Sequence, residues 1–421
     1  MTNNSSYITS DTGKLAEKLF RHNYAKMVAI LARYFGLKNV EIAEDIVQDT
    51  LMEAMKRWSV GTTPRNPEAW LMDVAKKKTI NFLKREQLFK NKISARIRDV
   101  YTYETELEFS EEIINDSTLR MIFSCCHPSI PVESQIALAL KTLCGLNIAE
   151  ISNALLTSET NVNKRLYRAK KRFRNGSVQF KIPNDTELSD RLDSVFSTLY
   201  LLFNEGYFSL HDDNVIRMDL CFEAIRLLKQ VISSFPESNK AKALLALMLL
   251  TVARFESRLD ANGTLIILSD QNRKLWDRSL IAEGMNYLHQ SLNSTTANKY
   301  QLQAGIAAEH CLAESFQSTN WQSVYKQYCI LEKMDANPII SFNKCISKYY
   351  SGLKREALND LLKMKNIYEM ETNPHYFVTL GVFYSELNEK EKAETSFKAA
   401  LKLSKSTPEK ELIQSKMNTY L

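Results

Sequence analysis

Glycine and proline are scarce in this chain, with 11 and 9 of them among 421 residues. The alternation of apolar and polar residues that marks half-buried strands is also missing, whereas long stretches repeat apolar residues at intervals of three and four. Few chain breakers and a helical period together predict an all-α fold. The length allows two to four domains, each large enough to bury a core of its own.

The signature sequences of common enzyme classes are missing as well. The chain contains no GxxxxGK[ST], GxGxxG, HExxH or GxSxG sequence. One stretch, NEGYFSLHDDN, gathers the polar side chains Glu205, His211, Asp212 and Asp213, and it is typical of a polar loop. We therefore expect the protein to catalyse nothing and to need no cofactor.

Cysteine is present in an odd number and without the spacing of a disulfide framework, which predicts reduced thiols. The seven cysteines are Cys125, Cys126, Cys144, Cys221, Cys311, Cys329 and Cys345. The sequence CCHP could suggest zinc, but its two cysteines are adjacent and no second pair follows nearby. We interpret them as buried thiols ahead of a helix from Val132, and predict no metal site.

Long apolar runs are missing too. The longest, near Leu244 to Leu250, is far shorter than a membrane span requires. The first ten residues, MTNNSSYITS, lack the charged and then apolar pattern of a secretory signal. We expect a cytoplasmic protein that does not enter a membrane.

Positive charge is present but unevenly placed. The chain carries a net charge of +6, and residues 1–180 hold 27 lysines and arginines against 20 acidic residues, whereas the remainder holds 28 against 29. This asymmetry predicts that the first half binds nucleic acid.

The strongest motif is a helix-turn-helix at residues 144–174. Its second helix, from Ser158 to Arg174, buries an apolar stripe that includes Val162 and Phe173, and it is strongly basic on the opposite side. Short polar side chains near the start of such a helix suit base edges, and the basic remainder suits phosphates. The predicted DNA-binding residues are Thr160, Asn161, Lys164, Arg165, Arg168, Lys171 and Arg172.

Capping residues support both helices of this motif. Ser158 can accept a hydrogen bond from a free backbone N–H, and Asn147 with Glu150 forms a near capping box for the first helix. The alternative is a basic helix whose charges only keep it solvated.

An acidic helix is predicted at Glu41 to Trp58. Val47, Ala54 and other apolar residues share one side, and the opposite side carries an acidic stripe with Glu41. The stripe is either a solvated surface or a protein-docking surface. Its candidate docking residues are Asp45, Gln48 and Asp49.

A third helix is predicted from Pro67, which suits a first turn because no N–H is needed there. Trp70 lies near the solvent-exposed side of this helix and is interpreted either as a buried residue or as a base-stacking residue. The basic residues of this helix, with one asparagine, share or border one face, and they are Lys76, Lys77, Lys78, Asn81, Lys84 and Arg85.

These stretches resemble a known family. AEDIVQDTLMEAMKRW, NPEAWLMDVAKKKTINFLKRE and the helix-turn-helix are similar, in order and spacing, to regions 2 and 4 of bacterial extracytoplasmic-function (ECF) sigma factors. The implied partners are core RNA polymerase, at its β′ clamp and β flap, and promoter DNA.

The resemblance also assigns roles. It implies that Asp45, Gln48 and Asp49 bind the β′ clamp helices, that the Pro67 helix acts near the minus-10 element, and that the Ser158 helix reads near minus 35. Lys77 and Asn81 depart from the family pattern, where Asn and Asp respectively are frequent, so the minus-10 preference is not carried over.

The C-terminal half has the pattern of helical repeats. Leu380, Gly381, Tyr384, Ala393, Phe397 and Ala400 fall at tetratricopeptide (TPR) offsets. Pro338, Pro374 and Pro408 recur at the repeat period, each predicted to end a helix pair. The stretches LYLLFNEGY, LSDQNRKLWDRSLIAEG and YQLQAGIAA resemble a C-terminal extension of one ECF subgroup, which implies a regulatory role. Such a solenoid usually binds a protein or peptide.

We therefore predict region 2 at residues 10–90, an acidic linker at 91–117, region 4 at 118–180 and a TPR-like solenoid at 188–421. The main alternative is a helix-turn-helix regulator that never docks on polymerase. A further alternative is a TPR scaffold whose basic half binds RNA or nothing.

Overall fold

The computed structural model describes residues 23–58, 63–91, 108–155, 157–208, 218–260, 266–293, 297–367, 372–404 and 407–421. Within these ranges the chain is helical and has no β-strand, which confirms the predicted all-α class. It divides into two compact units, Met1–Ser209 with Ile216–Ser234 and Leu210–Val215 with Phe235–Leu421. None of the described helices is both long and apolar enough to span a membrane.

The first unit contains the two helices that the sequence predicts to be basic, the one from Pro67 and the one from Ser158. Its helices are α1 (23–35), α2 (Val40–Trp58), α3 (Pro67–Asn91), α4 (Glu111–Cys125), α5 (Val132–Thr142), α6 (Ile148–Ala154), α7 (Glu159–Arg174), α8 (Asp185–Phe208) and α9 (Met218–Ser234).

Local sequence explains where several of these helices begin. The Ser158 side chain accepts a hydrogen bond from the Asn161 N–H, so it caps α7 as predicted. Asn147 and Glu150 each accept a hydrogen bond from the other's backbone N–H, which completes the capping box of α6. In the turn between α6 and α7, the Ser152 hydroxyl donates to the Thr157 carbonyl and the Asn161 side chain donates to the Thr157 hydroxyl, and these bonds hold α7 against α6.

The first helix is more buried than its sequence pattern indicates. Residues 14–36 have the pattern of an amphipathic helix, and residues 14–22 of this stretch lie outside the described residues. In α1, residues 27–32 are fully buried, so no polar face is left in this stretch. Its sequence MVAILA is apolar on every side, which is typical of a helix covered by neighbours all round.

The acidic linker also ends earlier than predicted. Residues 92–107 lie outside the described residues, but α4 begins at Glu111, so residues 111–117 of the predicted linker are helical. Glu111 and Glu112 occupy the first turn, where negative side chains are favoured by the helix dipole. At residues 111–112, acidic composition was therefore a signal for the start of a helix.

The two compact units do not divide at residue 188, where the sequence predicts the start of the solenoid. Both α8 and α9 belong to the first unit, and the second unit resumes at Phe235. The Arg191 guanidinium donates to the Phe123 carbonyl at 2.8 Å, and the Ser194 hydroxyl donates to the Cys126 carbonyl at 2.7 Å. The helix pair α8 and α9 therefore packs against α4 and α5 within the first unit.

The second unit is an array of helices in which neighbours in sequence are neighbours in space. Its helices are α10 (Asn239–Val252), α11 (Arg278–Ser291), α12 (Lys299–Leu312), α13 (Trp321–Met334), α14 (Pro338–Tyr350), α15 (Lys354–Ile367), α16 (Pro374–Glu386), α17 (Lys390–Leu403) and α18 (Thr407–Tyr420).

The helices α16 and α17 pack through the residues of the TPR pattern. A Cβ on Gly381 would lie 2.8 Å from the ring of Phe397, which is fully buried. Between successive pairs, the rings of Tyr349 and Phe383 stack with centroids 3.6 Å apart. Pro338 and Pro374 were predicted to end helix pairs, and this was wrong: they stand at the first positions of α14 and α16, where a missing N–H costs nothing.

Candidate nucleic-acid interface

The outer face of α7 is open to solvent. Its apolar stripe, Val162, Leu166, Ala169 and Phe173, is buried as predicted. Six of the seven predicted DNA-binding residues are exposed, namely Thr160, Asn161, Lys164, Arg168, Lys171 and Arg172. With Ser158 fixing the start of the helix, this face presents short polar groups first and cations along the rest of its length.

Arg165 is the exception on this helix. Its side chain is only 24% exposed, and its Nη2 atom lies 3.7 Å from Glu133 of α5. Burial raises the pKa of Glu205 on α8, and the nearby charge of Arg165 offsets part of that rise. Arg165 is therefore partly engaged by its own domain, and it is a weaker candidate for DNA contact than its neighbours.

Tyr167 lies on the same open face and was missed by the sequence analysis. Its ring is 60% exposed, and the Arg174 guanidinium lies over it at 5.5 Å from the centroid. Its position, three residues after Lys164 and four before Lys171, could have revealed it. Because this exposed ring stands among the cations, Tyr167 adds an apolar surface to the basic face.

The predicted basic face of α3 separates into two groups. Asn81 and Arg85 are exposed, as is Lys77, whose Nζ pairs with Asp73 at 2.6 Å. Lys76, Lys78 and Lys84 are half-buried. Lys78 lies 3.1 Å from Glu53 of α2, and its hydrogen bond lowers the pKa of Glu53 below the usual value. Lys78 therefore holds α3 against α2.

Trp70 is half-buried at the same helix pair. Its ring lies 5.6 Å from that of Trp58, and the Arg57 guanidinium covers it at 5.7 Å. The side chain is thus partly buried, and a base-stacking role for it stays a prediction. Its inner part packs in the core, and the remainder stays accessible.

The outer face of α2 has the features of a docking surface. Asp45, Gln48 and Asp49 are all exposed. Met52 and Met55 beside them are also exposed, at 55% and 57%. Methionine is adaptable and frequent at protein-binding surfaces, whereas a helix face that only contacts water usually carries polar side chains.

The cysteine cluster is structural. Cys125 and Cys126 are buried as predicted, and burial raises the pKa of Cys126 to about 12. A thiol of that kind stays protonated and unreactive. In the described ranges, no three His, Cys, Asp or Glu side chains are grouped as metal ligands would be. The predicted loop residues His211, Asp212 and Asp213 lie outside the described residues.

Comparison with known proteins agrees with this geometry. Residues 19–89 match sigma-70 region 2, which covers the acidic helix and α3. Residues 120–173 match sigma-70 region 4, which covers the helix-turn-helix. Residues 191–292 match a family of unknown function, DUF6596.

A whole-chain relative is also found. The chain is 31% identical over 419 residues to uncharacterized protein R00370 of Rhizobium meliloti (strain 1021), and the match covers 97% of this chain and 96% of that protein. The chain belongs to the same family as that protein, and its regions 2 and 4 make it a sigma factor of the sigma-70 type that directs transcription initiation.

Proposed function

We propose that this is an ECF-type sigma factor in which three separate helix faces bind polymerase, upstream promoter DNA and the promoter near its start site. The observation that carries the proposal is the open face of α7, where exposed cations follow a capped and polar first turn. Arg168 is placed to read a base edge, and Lys164 and Lys171 to contact phosphates. Tyr167 adds an apolar contact in the same groove.

The polymerase contact is assigned to α2. Asp45, Gln48 and Asp49 project from one side of it together with the two exposed methionines. An acidic surface would be repelled by DNA, so its partner is a protein surface of opposite charge. By resemblance to ECF sigma factors, we assign that surface to the β′ clamp.

The minus-10 contact is assigned to α3. Lys77, Asn81 and Arg85 are the exposed residues among the six predicted for its basic face, and Trp70 supplies a partly accessible ring on the same helix. Lys78 supports this face by its bond to Glu53 rather than by touching DNA.

The second unit is proposed to regulate the first through a TPR-like array. The support is the packing of Gly381 against Phe397 and the regular placement of Pro338 and Pro374. An array of this kind presents an extended surface to a protein or peptide.

Binding to core polymerase tests the docking assignment. Reversal of the α2 charges, Asp45→Lys with Asp49→Lys, leaves the buried side of the helix unchanged, so the fold should persist while the complex with core polymerase is lost in gel filtration. Reversal of two exposed acids in the second unit, Glu237→Lys with Glu256→Lys, is the matched control and should retain the complex. Equal complex formation by both variants would contradict the assignment.

A further inference from the structure

The second unit contains a cavity of about 340 Å³. Side chains of α12, α13, α14, α16 and α18 line it, together with residues 267–269 and Phe316, and all of these belong to the second unit. Sites for small molecules typically have volumes of about 300 to 1,000 Å³. The cavity lies at the lower end of that range, so it suits a small molecule rather than a folded segment of protein.

A cluster of aromatic rings forms part of the lining. The ring centroids of Phe316, Trp321 and Tyr350 lie 4.8 to 5.0 Å from one another. Because the three rings are in mutual contact, a ligand packs against their outer surface and is not enclosed among them. A planar aromatic ring makes a large apolar contact with a surface of this kind.

A few polar side chains interrupt the apolar lining. Asn343 and Ser347 lie one turn apart on α14, and Thr379 lies on α16. The two hydroxyls donate to backbone carbonyls of their own helices, so each still has a lone pair with which to accept. The amide of Asn343 can both donate and accept. Apolar walls with a small number of polar groups are typical of sites that orient a small ligand.

Lys416 of α18 supplies positive charge to the lining. Its side chain is 10% exposed, and its Nζ atom lies 2.9 Å from Asp270 and 5.8 Å from the centroid of the Tyr420 ring. Asp270 lies outside the lining, and its side chain is 48% exposed. Because water can solvate the exposed carboxylate of Asp270, little free energy is lost when the carboxylate of a ligand takes its place.

Other charges near the cavity also favour an anion. Among the described residues of the lining there is no aspartate or glutamate. His310 is uncharged at neutral pH, because burial and the nearby charges of Arg254 and Arg273 lower its pKa to about 3. Glu386 lies outside the lining and pairs with Lys354 at 2.9 Å. The cavity therefore favours an anion over a neutral molecule, and disfavours a cation.

We propose that this cavity binds a small aromatic carboxylic acid, with its ring against Trp321 and Tyr350 and its carboxylate on Lys416. The inference deepens the proposed regulatory function of the second unit and rests on it, since that function makes the bound acid a signal for initiation. The ligand contacts five helices of the array at once, so its binding stabilises their folded arrangement.

A series of three probes with the same ring tests the chemical class. Naphthoate, naphthamide and naphthylmethylammonium carry a negative, a zero and a positive charge at neutral pH. Each is titrated into the free full chain by isothermal calorimetry. Naphthoate should bind about tenfold more tightly than naphthamide, the effect of one hydrogen bond to a charged group, and the ammonium compound should bind most weakly.

Three variants test the location of the site. Lys416→Met keeps the aliphatic stem and should weaken naphthoate about tenfold, to the affinity of naphthamide, while naphthamide binds as before. Val378→Phe fills part of the cavity and should weaken both compounds. Lys410→Met removes an exposed lysine from the same helix, so it is the matched control and should bind all three probes as the parent does.

The outcomes separate this inference from the proposed function. Absence of naphthoate binding, or equal affinity of the parent for naphthoate and naphthamide, would overturn the inference. Equal binding of naphthoate by Lys416→Met and by the parent would overturn it as well. Because the titrations need neither polymerase nor promoter, absence of initiation would count against the proposed function alone. If circular dichroism shows that Val378→Phe is poorly folded, Lys416→Met decides the location.

Discussion

Replacing Gly381 by alanine tests the helix pairing of the second unit. An added Cβ would meet three atoms of the Phe397 ring at 2.8 to 2.9 Å, closer than carbon atoms normally pack. The ring is fully buried and has no free space to enter. Overpacking of this kind costs about 1 to 3 kcal/mol, whereas alanine regains only about 0.5 to 1 kcal/mol of helix propensity. We expect a net loss of stability of about 1 kcal/mol.

Gly305→Ala is the matched control, since it is another glycine within a helix. The atom that its Cβ would meet is the amide end of Gln327, which is flexible and can turn aside. This variant should therefore be as stable as the parent or slightly more stable. Thermal unfolding followed by circular dichroism compares the two, and the midpoint temperature should differ by about 2 to 4 °C per kcal/mol. Equal stability of Gly381→Ala and Gly305→Ala would refute the packing argument.

Three further predictions follow from named contacts. Lys164→Ala and Lys171→Ala should each reduce the salt slope of promoter binding by about one unit, whereas Arg168→Ala should relax sequence preference and cost about 1 to 3 kcal/mol of binding free energy. Binding titrations at several salt concentrations would contradict this if all three variants behave alike. Truncation after Ile182 should unfold region 4, because it removes Arg191 and Ser194 from the end of α4. Truncation after Ser234 should leave region 4 folded. Thermal melts that show both fragments folded would disprove the unit boundary at Ser234. Burial and the nearby charges of Arg254 and Arg273 lower the pKa of His310 to about 3. Because the unfolded chain binds a proton at this histidine already near pH 6.5, the free energy of unfolding should fall as the pH drops from about 6.5 towards 3. His310→Phe should flatten that dependence in acid titrations.

The helix-turn-helix was predictable because its signals are local. The stripe of Val162 and Phe173, the cap at Ser158 and the capping box at Glu150 all depend on residues within one or two turns. Each of these was confirmed, and the exposure of the basic face follows from them.

The domain boundaries were less predictable because they depend on contacts between distant residues. Nothing around Arg191 shows that its partner is the carbonyl of Phe123, 68 positions away. In the same way Glu44 belongs to an acidic run, and only the fold shows that it faces Lys170 rather than solvent. Periodicity shows which side of a helix is apolar, but it does not show which element covers that side.

Transcription from a DNA template by purified core polymerase, with and without this protein, tests the central claim most directly. If regions 2 and 4 act as proposed, the full chain should produce transcripts with defined start sites on promoter-containing DNA, and Lys164→Ala with Arg168→Ala should abolish them while the complex with core polymerase persists. Binding of the protein to duplex DNA without any defined transcript, in the presence of active core polymerase, would contradict the account.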